Sequence, residues 1–397
     1  MEQYKTIKLK INCNKTDLNK LFQCNRESAL IWNECLKFNQ LNYKDNKKLH
    51  TTRELVDYTK TIDVQTICAN SKQIIGKKIF DAYNAISKAR KVGRTDLNYP
   101  WKEKNFYPTE WSYQYLFPNY EKNEIRLTTS QYIGEDGKNH NGQQIRMKFK
   151  MKIPNNIKLL KLIYKNGFYA VISYLVEVEE REIISNNIAS IDLGEIHAIT
   201  SIDNNNNQLI ITGRKIRSLK QFRNKKIAEL TSKIDKCKNG SNQRKKYKKA
   251  LNYLKAKTER QVMDCIHKLT RMYTNWAVEK GISAVYVGDV TNIELHVKSS
   301  KIVNQKLNQW DYGKILHYLE YKLGLEGIKL IKVNEAYSSQ ICPTCGEKTK
   351  PKGRVYKCSN CESEYHRDIV GAWNILNFNT DYNLKLPEAN IKYLRIA

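Results

Sequence analysis
No apolar run in this sequence approaches the length needed to cross a bilayer. The first residues, Met1-Glu-Gln-Tyr-Lys-Thr, lack the apolar core of a secretory signal. Both absences set a cytoplasmic expectation, nucleoid-associated if the host is prokaryotic, with no membrane as partner. There is no internal repeat and no long low-complexity linker, so 397 residues should fold as two or three domains. Acidic residues are in short supply: 40 Asp and Glu face 69 Lys and Arg, a formal charge of +29. That excess is beyond what solubility needs and calls for a polyanion. Nor do the cysteines look like a disulfide framework. Four of the ten are clustered late in the chain, and Cys13, Cys24, Cys35, Cys68, Cys237 and Cys265 are scattered. These six read as free core thiols in a reducing compartment.

What is present is organised in blocks. Residues 4–12 alternate in polarity as a strand, and Thr16-Asp17 is expected to cap a following helix. A second helix is expected over 63–91. From Tyr99-Pro-Trp-Lys the texture becomes β-rich. In the run 144–154, Ile145, Met147, Phe149, Met151 and Ile153 share one face; Arg146, Lys148, Lys150 and Lys152 form a basic ladder on the other. Strands 158–164 and 168–178 flank Asn166-Gly167, a hairpin signal. After residue 185 the order is a three-strand meander, a long helical segment, strand 283–288, helix 310–325, strand 328–333 and helix 368–377. Between Arg214 and Arg260 lie 18 Lys and Arg against three acids, a surplus of 15. This segment, including Lys220, Arg223, Arg244 and Lys245, and the 146–152 ladder are the expected phosphate contacts. Arg367 is a further candidate.

Two motifs carry chemistry. Cys342-Pro-Thr-Cys345 and Cys358-Ser-Asn-Cys361 are CxxC knuckles separated by twelve residues. Each knuckle offers two sulfurs to one side of a tetrahedron, which suits a structural Zn²⁺. His366-Arg367-Asp368 follows immediately, opening a helix. Far upstream, Asp192 ends the strand of Ile188-Ala-Ser-Ile-Asp-Leu-Gly194. Meander, helix, strand, helix, strand, helix is the element order of an RNase-H-like domain. Carboxylates placed this way suit phosphodiester hydrolysis with two Mg²⁺ held about 4 Å apart.

The segments Ser190-Ile-Asp-Leu-Gly194, Tyr337-Ser-Ser-Gln-Ile-Cys-Pro-Thr-Cys-Gly346 and His366-Arg-Asp-Ile-Val-Gly-Ala-Trp-Asn-Ile375 resemble signature blocks of the TnpB family. These are transposon-encoded, RNA-guided nucleases ancestral to type V CRISPR effectors. Helix 63–91 and Tyr99-Pro-Trp-Lys also resemble the family's N-terminal half. The resemblance implies an α+β multidomain chain: a wedge β-barrel (1–14 and 98–185), a helical recognition insertion (15–97), a RuvC-like nuclease (186–340 and 363–380), a zinc ribbon-like module (341–362) and a C-terminal tail (381–397). It further implies a guide RNA from the transposon end, double-stranded target DNA, and a short adjacent motif read on the duplex. Monomer and dimer stay open. A nuclease-inactive, RNA-guided repressor and an RNA-independent transposase are the rival functions.

One position departs from the family pattern. Members usually carry glutamate at the end of the fourth nuclease strand, in a Val-Ile-Glu-Asp-Leu block. This chain has Tyr286-Val-Gly288-Asp289-Val290. Asp289 would point to the opposite face of the strand, and Glu294 falls in a loop. Glu335 ends the neighbouring strand and is the expected replacement, as in family members with a relocated glutamate. The expected catalytic set is therefore Asp192, Glu335 and Asp368.

Overall fold
The structure, a computed structural model, describes residues 2–133, 139–141, 144–165, 167–177, 185–288, 310–335, 337–351, 353–380, 386 and 390–396. The chain divides into two compact units, Met1–Val178 and Glu179–Ala397. Among the described residues no helix is long and apolar enough to cross a membrane.

In the first unit, strand β1 (Glu2–Asn12) leads to helices α1 (Lys15–Asn46), α2 (Thr52–Thr61) and α3 (Ala69–Lys91). Strands β2 (Thr109–Ser112), β3 (Leu116–Asn119), β4 (Glu124–Leu127), β5 (Gln131–Ile133), β6 (Asn139–Asn141), β7 (Ile145–Phe149), β8 (Ile157–Tyr164) and β9 (Phe168–Glu177) follow. Seven of them form an antiparallel sheet in the order β2-β8-β9-β1-β7-β4-β3, a nearly closed barrel. Trp111 on edge strand β2 is fully buried, and its indole N–H donates to Thr128 O just past β4 at 3.1 Å, drawing the two ends together. Alternation decides the register. Leu9 faces Ala170 across β1 and β9, and both side chains are buried in the core.

Three local expectations are corrected here. The first helix is capped by Asn14, whose Oδ1 accepts the Asp17 N–H at 2.7 Å, rather than by Thr16-Asp17. The helix expected over 63–91 starts only at Ala69. Residues ahead of it are held by the buried Glu27, whose carboxylate accepts the N–H of Thr66 (2.8 Å) and of Ile67 (3.2 Å) and the Thr66 hydroxyl (2.8 Å). The strand expected over 144–154 stops at Phe149 because Asn123, in a left-handed conformation (φ 52°), captures the backbone beyond it. Asn123 Nδ2 donates to Phe149 O at 2.7 Å and Met151 O at 2.9 Å, and its Oδ1 accepts from Ile153 N at 2.9 Å. Met151 therefore leaves the apolar face and is 62% exposed. The β8–β9 hairpin forms as expected; Asn166 of its turn lies outside the described residues.

The second unit is built on a six-stranded sheet, order β14-β13-β10-β11-β12-β17. Its strands are β10 (Ile188–Asp192), β11 (His197–Asp203), β12 (Gln208–Thr212), β13 (Ala284–Gly288), β14 (Lys329–Val333) and β17 (Lys392–Arg395). The meander β10–β12 is antiparallel, whereas β13 and β14 join β10 in parallel, and β17 joins β12 in parallel. The segment 381–397, expected to be a tail, thus contributes an edge strand, and Ile396 reaches the core. The expected long basic helix is two helices, α4 (Arg214–Asp235) and α5 (Asn242–Glu279), broken at Gly240 with φ +80°. One face of the sheet (Ala189, Ile191, Ile199, Leu209) packs with residues of α4, α5 and α6 (Tyr312–Leu325). The alternate residues, Ile202 and Ile210, pack with α7 (Arg367–Phe378) and the cysteine module, whose hairpin is β15 (Val355–Lys357) and β16 (Glu364–His366). Period-two alternation therefore points Asp192, like Ser190, toward α7; Ser190 Oγ donates to Ala372 O at 2.6 Å.

Candidate active site
Three parallel strands end side by side at the site. Asp192 closes β10 and Gly288 closes β13; their preceding residues, Ile191 and Val287, are paired. Gly288 pairs in turn with Val333 of β14, and Glu335 follows two residues later. The relocated acid and the glycine are sterically linked. A β-carbon on Gly288 would lie 2.9 Å from Glu335 Cβ and would collide with its carboxylate. From the other side, α7 approaches so closely that a β-carbon on Gly371 would lie 2.7 Å from Asp192 Oδ2. Glycine is thus needed at both positions by close approach.

Electrostatics report the same grouping. Burial, followed by the negative charges of Asp368 and Glu335, pushes the Asp192 carboxyl up to about 7, with Arg367 opposing. The Tyr312 phenol is raised by burial and then by Asp192, Glu195 and Glu335. Asp192 therefore lies in the electrostatic field of both Asp368 and Glu335. An all-oxygen donor set of this kind suits a hard divalent cation. Asp289 and Glu294, the other acids weighed from the sequence, lie outside the described residues.

Asp368, on the first turn of α7, behaves differently. Its Oδ2 lies 2.7 Å from His197 Nδ1 and 3.0 Å from Arg354 Nη1. Burial alone would raise its pKa, but the His197 hydrogen bond and the charges of His197 and Arg354 hold it below the usual carboxylate value. Neither His197 nor Arg354 was expected from the sequence. His197 stands five residues past Asp192, and Arg354 sits between the two knuckles; nothing in their spacing signals a shared partner.

The four cysteines converge. Cys342 and Cys361 sulfurs are 3.6 Å apart, as are those of Cys345 and Cys358, and all four lie within 4.8 Å of one another. A tetrahedron with metal–sulfur bonds of 2.3 Å has edges of about 3.8 Å, so the cluster has the dimensions of a four-thiolate metal site. The knuckles repeat one another. Thr344 N–H points at Cys342 Sγ and Asn360 N–H at Cys358 Sγ, each at 3.4 Å, favouring thiolates. The N–H groups of Cys361 and Asn360 draw the Cys358 thiol down to about 6, while burial pushes Cys342 up to about 11. All of the scattered cysteines are free; Cys24, Cys35, Cys68 and Cys265 are buried, but Cys13 and Cys237 are only partly so.

The basic candidates separate. Arg146, Lys148, Lys150, Lys152 and Lys245 are exposed. Lys220 is a correction: it is buried, 2.6 Å from Asp311 and above the Trp310 ring, so its charge is already neutralised inside the protein. Arg244 is another, since its Nη1 donates to Ile234 O and, at 3.3 Å, to Cys237 O, closing the C-terminus of α4. Arg223 lines a cavity of about 720 Å³ with Lys255, Glu259 and Lys314. Arg367 is half-buried, near Asp192, and donates to Gly353 O at 3.4 Å.

Residues 312–375 match the family model of the Cas12f1-like TNB domain, and residues 171–294 match that of a probable transposase, OrfB of IS605. The chain is 29% identical to a TnpB-like protein of Methanocaldococcus jannaschii over 51% of its own length and 73% of that protein. It is 28% identical to the CRISPR-associated endodeoxyribonuclease Cas12f1 of Sulfoacidibacillus thermotolerans, over 55% of this chain and 51% of that one. The match thus spans about half the length of that relative. The fold resembles that of Cas12f1 in a complex with sgRNA and target DNA, at TM-score 0.62 and 12% identity, over 94% of this chain and 98% of the other. At that identity the likeness is one of fold.

Proposed function
We propose that the chain, which matches those family models and is similar to TnpB-like and Cas12f1 proteins, is a TnpB-type, RNA-guided DNA endonuclease of a transposon. In this reading the second unit is a RuvC-type, RNase-H-like nuclease carrying a zinc module, and the first a wedge barrel with a helical recognition insertion. Its guide is an RNA from the transposon end. Base pairing supplies target specificity, while the protein reads duplex shape and a short adjacent motif.

The observation that carries the proposal is the pairing of Glu335 with Gly288. The chain lacks the family's usual glutamate, yet another carboxylate fills the vacated space and enters the field of Asp192. This favours a working nuclease over the repressor reading, for which nothing would maintain an acid there. Asp192, Glu335 and Asp368 would hold two Mg²⁺, and Cys342, Cys345, Cys358 and Cys361 one Zn²⁺. Bound Mg²⁺ would supply an acidified water and charge neutralisation at the leaving oxygen. Asp192 must give up its proton, which its raised pKa opposes until a cation is present. Arg367 lowers that cost and stands ready for a phosphate. Exposed Arg146, Lys148, Lys150, Lys152 and Lys245 offer contacts along a nucleic-acid backbone.

The test is to purify the protein with its bound RNA, sequence that RNA, and assay Mg²⁺-dependent cleavage of a matching duplex. Guide-dependent cutting supports the reading. Target binding without cutting under any divalent metal would favour the repressor. Cutting or joining with no bound RNA would favour the transposase.

A further inference from the structure
Asp368 does not hold its orientation alone. Its Oδ2 receives two groups, His197 Nδ1 at 2.7 Å and Arg354 Nη1 at 3.0 Å. A carboxylate only accepts and a guanidinium only donates, so the imidazole proton bridging to Asp368 must sit on Nδ1. The 3.4 Å approach of Arg354 Nη1 to His197 Nδ1 is then two donors converging on one oxygen. Among the described residues no hydrogen bond is made to Oδ1 of Asp368.

The two donors differ in how firmly they are placed. Arg354 comes from the cysteine module with a side chain 45% exposed. His197 opens β11, and its side chain is 8% exposed. Its ring lies 5.2 Å from that of His366 and 6.3 Å from that of Tyr393. The turn leading into it is tight: a β-carbon on Gly194 would lie 2.6 Å from His197 O. Gly213 N–H bonds Ile196 O at 2.8 Å, tying that turn to the end of β12. The imidazole is therefore fixed to the sheet that also carries Asp192, whereas Asp368 rides on the helix that packs over it.

We propose that His197 is a positioning residue for Asp368: its Nδ1–H clamps Oδ2 and so presents Oδ1 toward the cation shared with Asp192. The proposal rests on the nuclease reading of the three carboxylates. Partners of this kind, which orient a metal-holding side chain without touching the metal, typically change metal affinity 10–100-fold when removed. A different use of the same residues, with His197, His366 and Asp368 together holding a transition metal, has its three ligand atoms within 4.8 Å. The Arg354 cation, 3.0 Å from the same Asp368 oxygen, opposes it.

Two substitutions separate the donor from the ring. Asn places an N–H donor the same number of bonds from the backbone as histidine Nδ1, but has no ring. Phe keeps a ring against His366 and Tyr393, but has no donor. The measurement is the rise in Tm of the full-length, RNA-free protein with added Mg²⁺, which reports cation affinity without catalysis. His197→Phe should need about 10–100 times more Mg²⁺ for the same rise, and His197→Asn should stay within about threefold of wild type. Wild-type Mg²⁺ dependence in His197→Phe, or a defect in His197→Asn as large as in His197→Phe, overturns the proposal. If His197→Phe shows no cooperative unfolding, His197→Leu serves as the donor-free variant under the same criteria. Failure of the underlying reading looks different: wild type would then show no Mg²⁺ shift that Asp368→Ala removes.

Discussion
Glu335 stands where a side chain on residue 288 would have to go: a β-carbon on Gly288 would be 2.9 Å from Glu335 Cβ. The two positions are mutually exclusive solutions to placing one acid beside Asp192. A strand-end glutamate at 288 and a glutamate at 335 cannot both be accommodated without movement of β13 or β14.

Glu335→Ala should therefore abolish Mg²⁺-dependent cleavage as fully as Asp192→Ala or Asp368→Ala, with guide and target binding retained in all three. Gly288→Glu in a Glu335→Gly background, which also removes the Cβ that residue 288 would meet at 2.9 Å, is the reciprocal variant and should recover part of the activity. Gel-based cleavage alongside filter binding decides it. Robust cutting by Glu335→Ala would remove Glu335 from the site.

Gly371→Ala tests the other close approach. The added methyl meets Asp192 Oδ2 at 2.7 Å, so α7 or the carboxylate must shift. A displacement near 1 Å costs about 100-fold in rate, and the overpacking about 1–3 kcal/mol of stability. Cleavage falling much further than binding is the expected pattern; an unaffected rate would show that Asp192 can rotate away without loss.

The cluster also predicts a pH dependence in metal-free protein. Asp192 is pushed up to about 7, mainly by burial and then by Asp368 and Glu335. Between the ordinary Asp value near 4 and that raised value, the native state holds a proton that the unfolded chain has lost. Stability should then fall as pH rises from about 4 to about 7 and level off above that, where both states have lost the proton. Asp192→Asn should flatten this fall, and saturating Mg²⁺ should offset it in wild type only. Urea midpoints measured across that range, with and without Mg²⁺, would reveal a slope of the opposite sign if the assignment is wrong.

Chelation should release one equivalent of Zn²⁺ and loosen residues 340–366, since four thiolates close the coordination shell. X-ray absorption is expected to give four sulfur neighbours; fewer would refute the site.

The basic residues should divide by exposure. Lys148→Gln and Lys245→Gln should each flatten the slope of log affinity against log salt by about 1. Lys220→Gln should leave that slope alone and instead cost about 2 kcal/mol of stability, because Asp311 loses one of its two ammonium partners and keeps only Lys314. A salt-slope change for Lys220→Gln, with no loss of Tm, would return it to the nucleic-acid surface.

Much of this architecture is written locally. Alternating residues in β1, the strand runs of the β10–β12 meander, the pair of CxxC knuckles and the acid that opens α7 depend on neighbours a few residues away, and the sequence alone determined them. The cap at Asn14 and the break at Gly240 were settled within a few residues, but other errors came from distant partners. Glu27 held the backbone ahead of α3, and Asn123 ended β7, through hydrogen bonds spanning 26 to 40 residues of chain. Whether a lysine is a phosphate contact or half of a buried pair is likewise invisible in a charge run, because Asp311 lies far from Lys220 in sequence. The acids could be nominated from the sequence; their convergence could not. Only the parallel pairing of β10, β13 and β14 brings Asp192, Gly288 and Glu335 to one edge of the sheet. Only the packing of α7 and the cysteine module brings Asp368 to His197 and Arg354, since side-chain contacts between distant segments are made by tertiary packing and not by spacing along the chain.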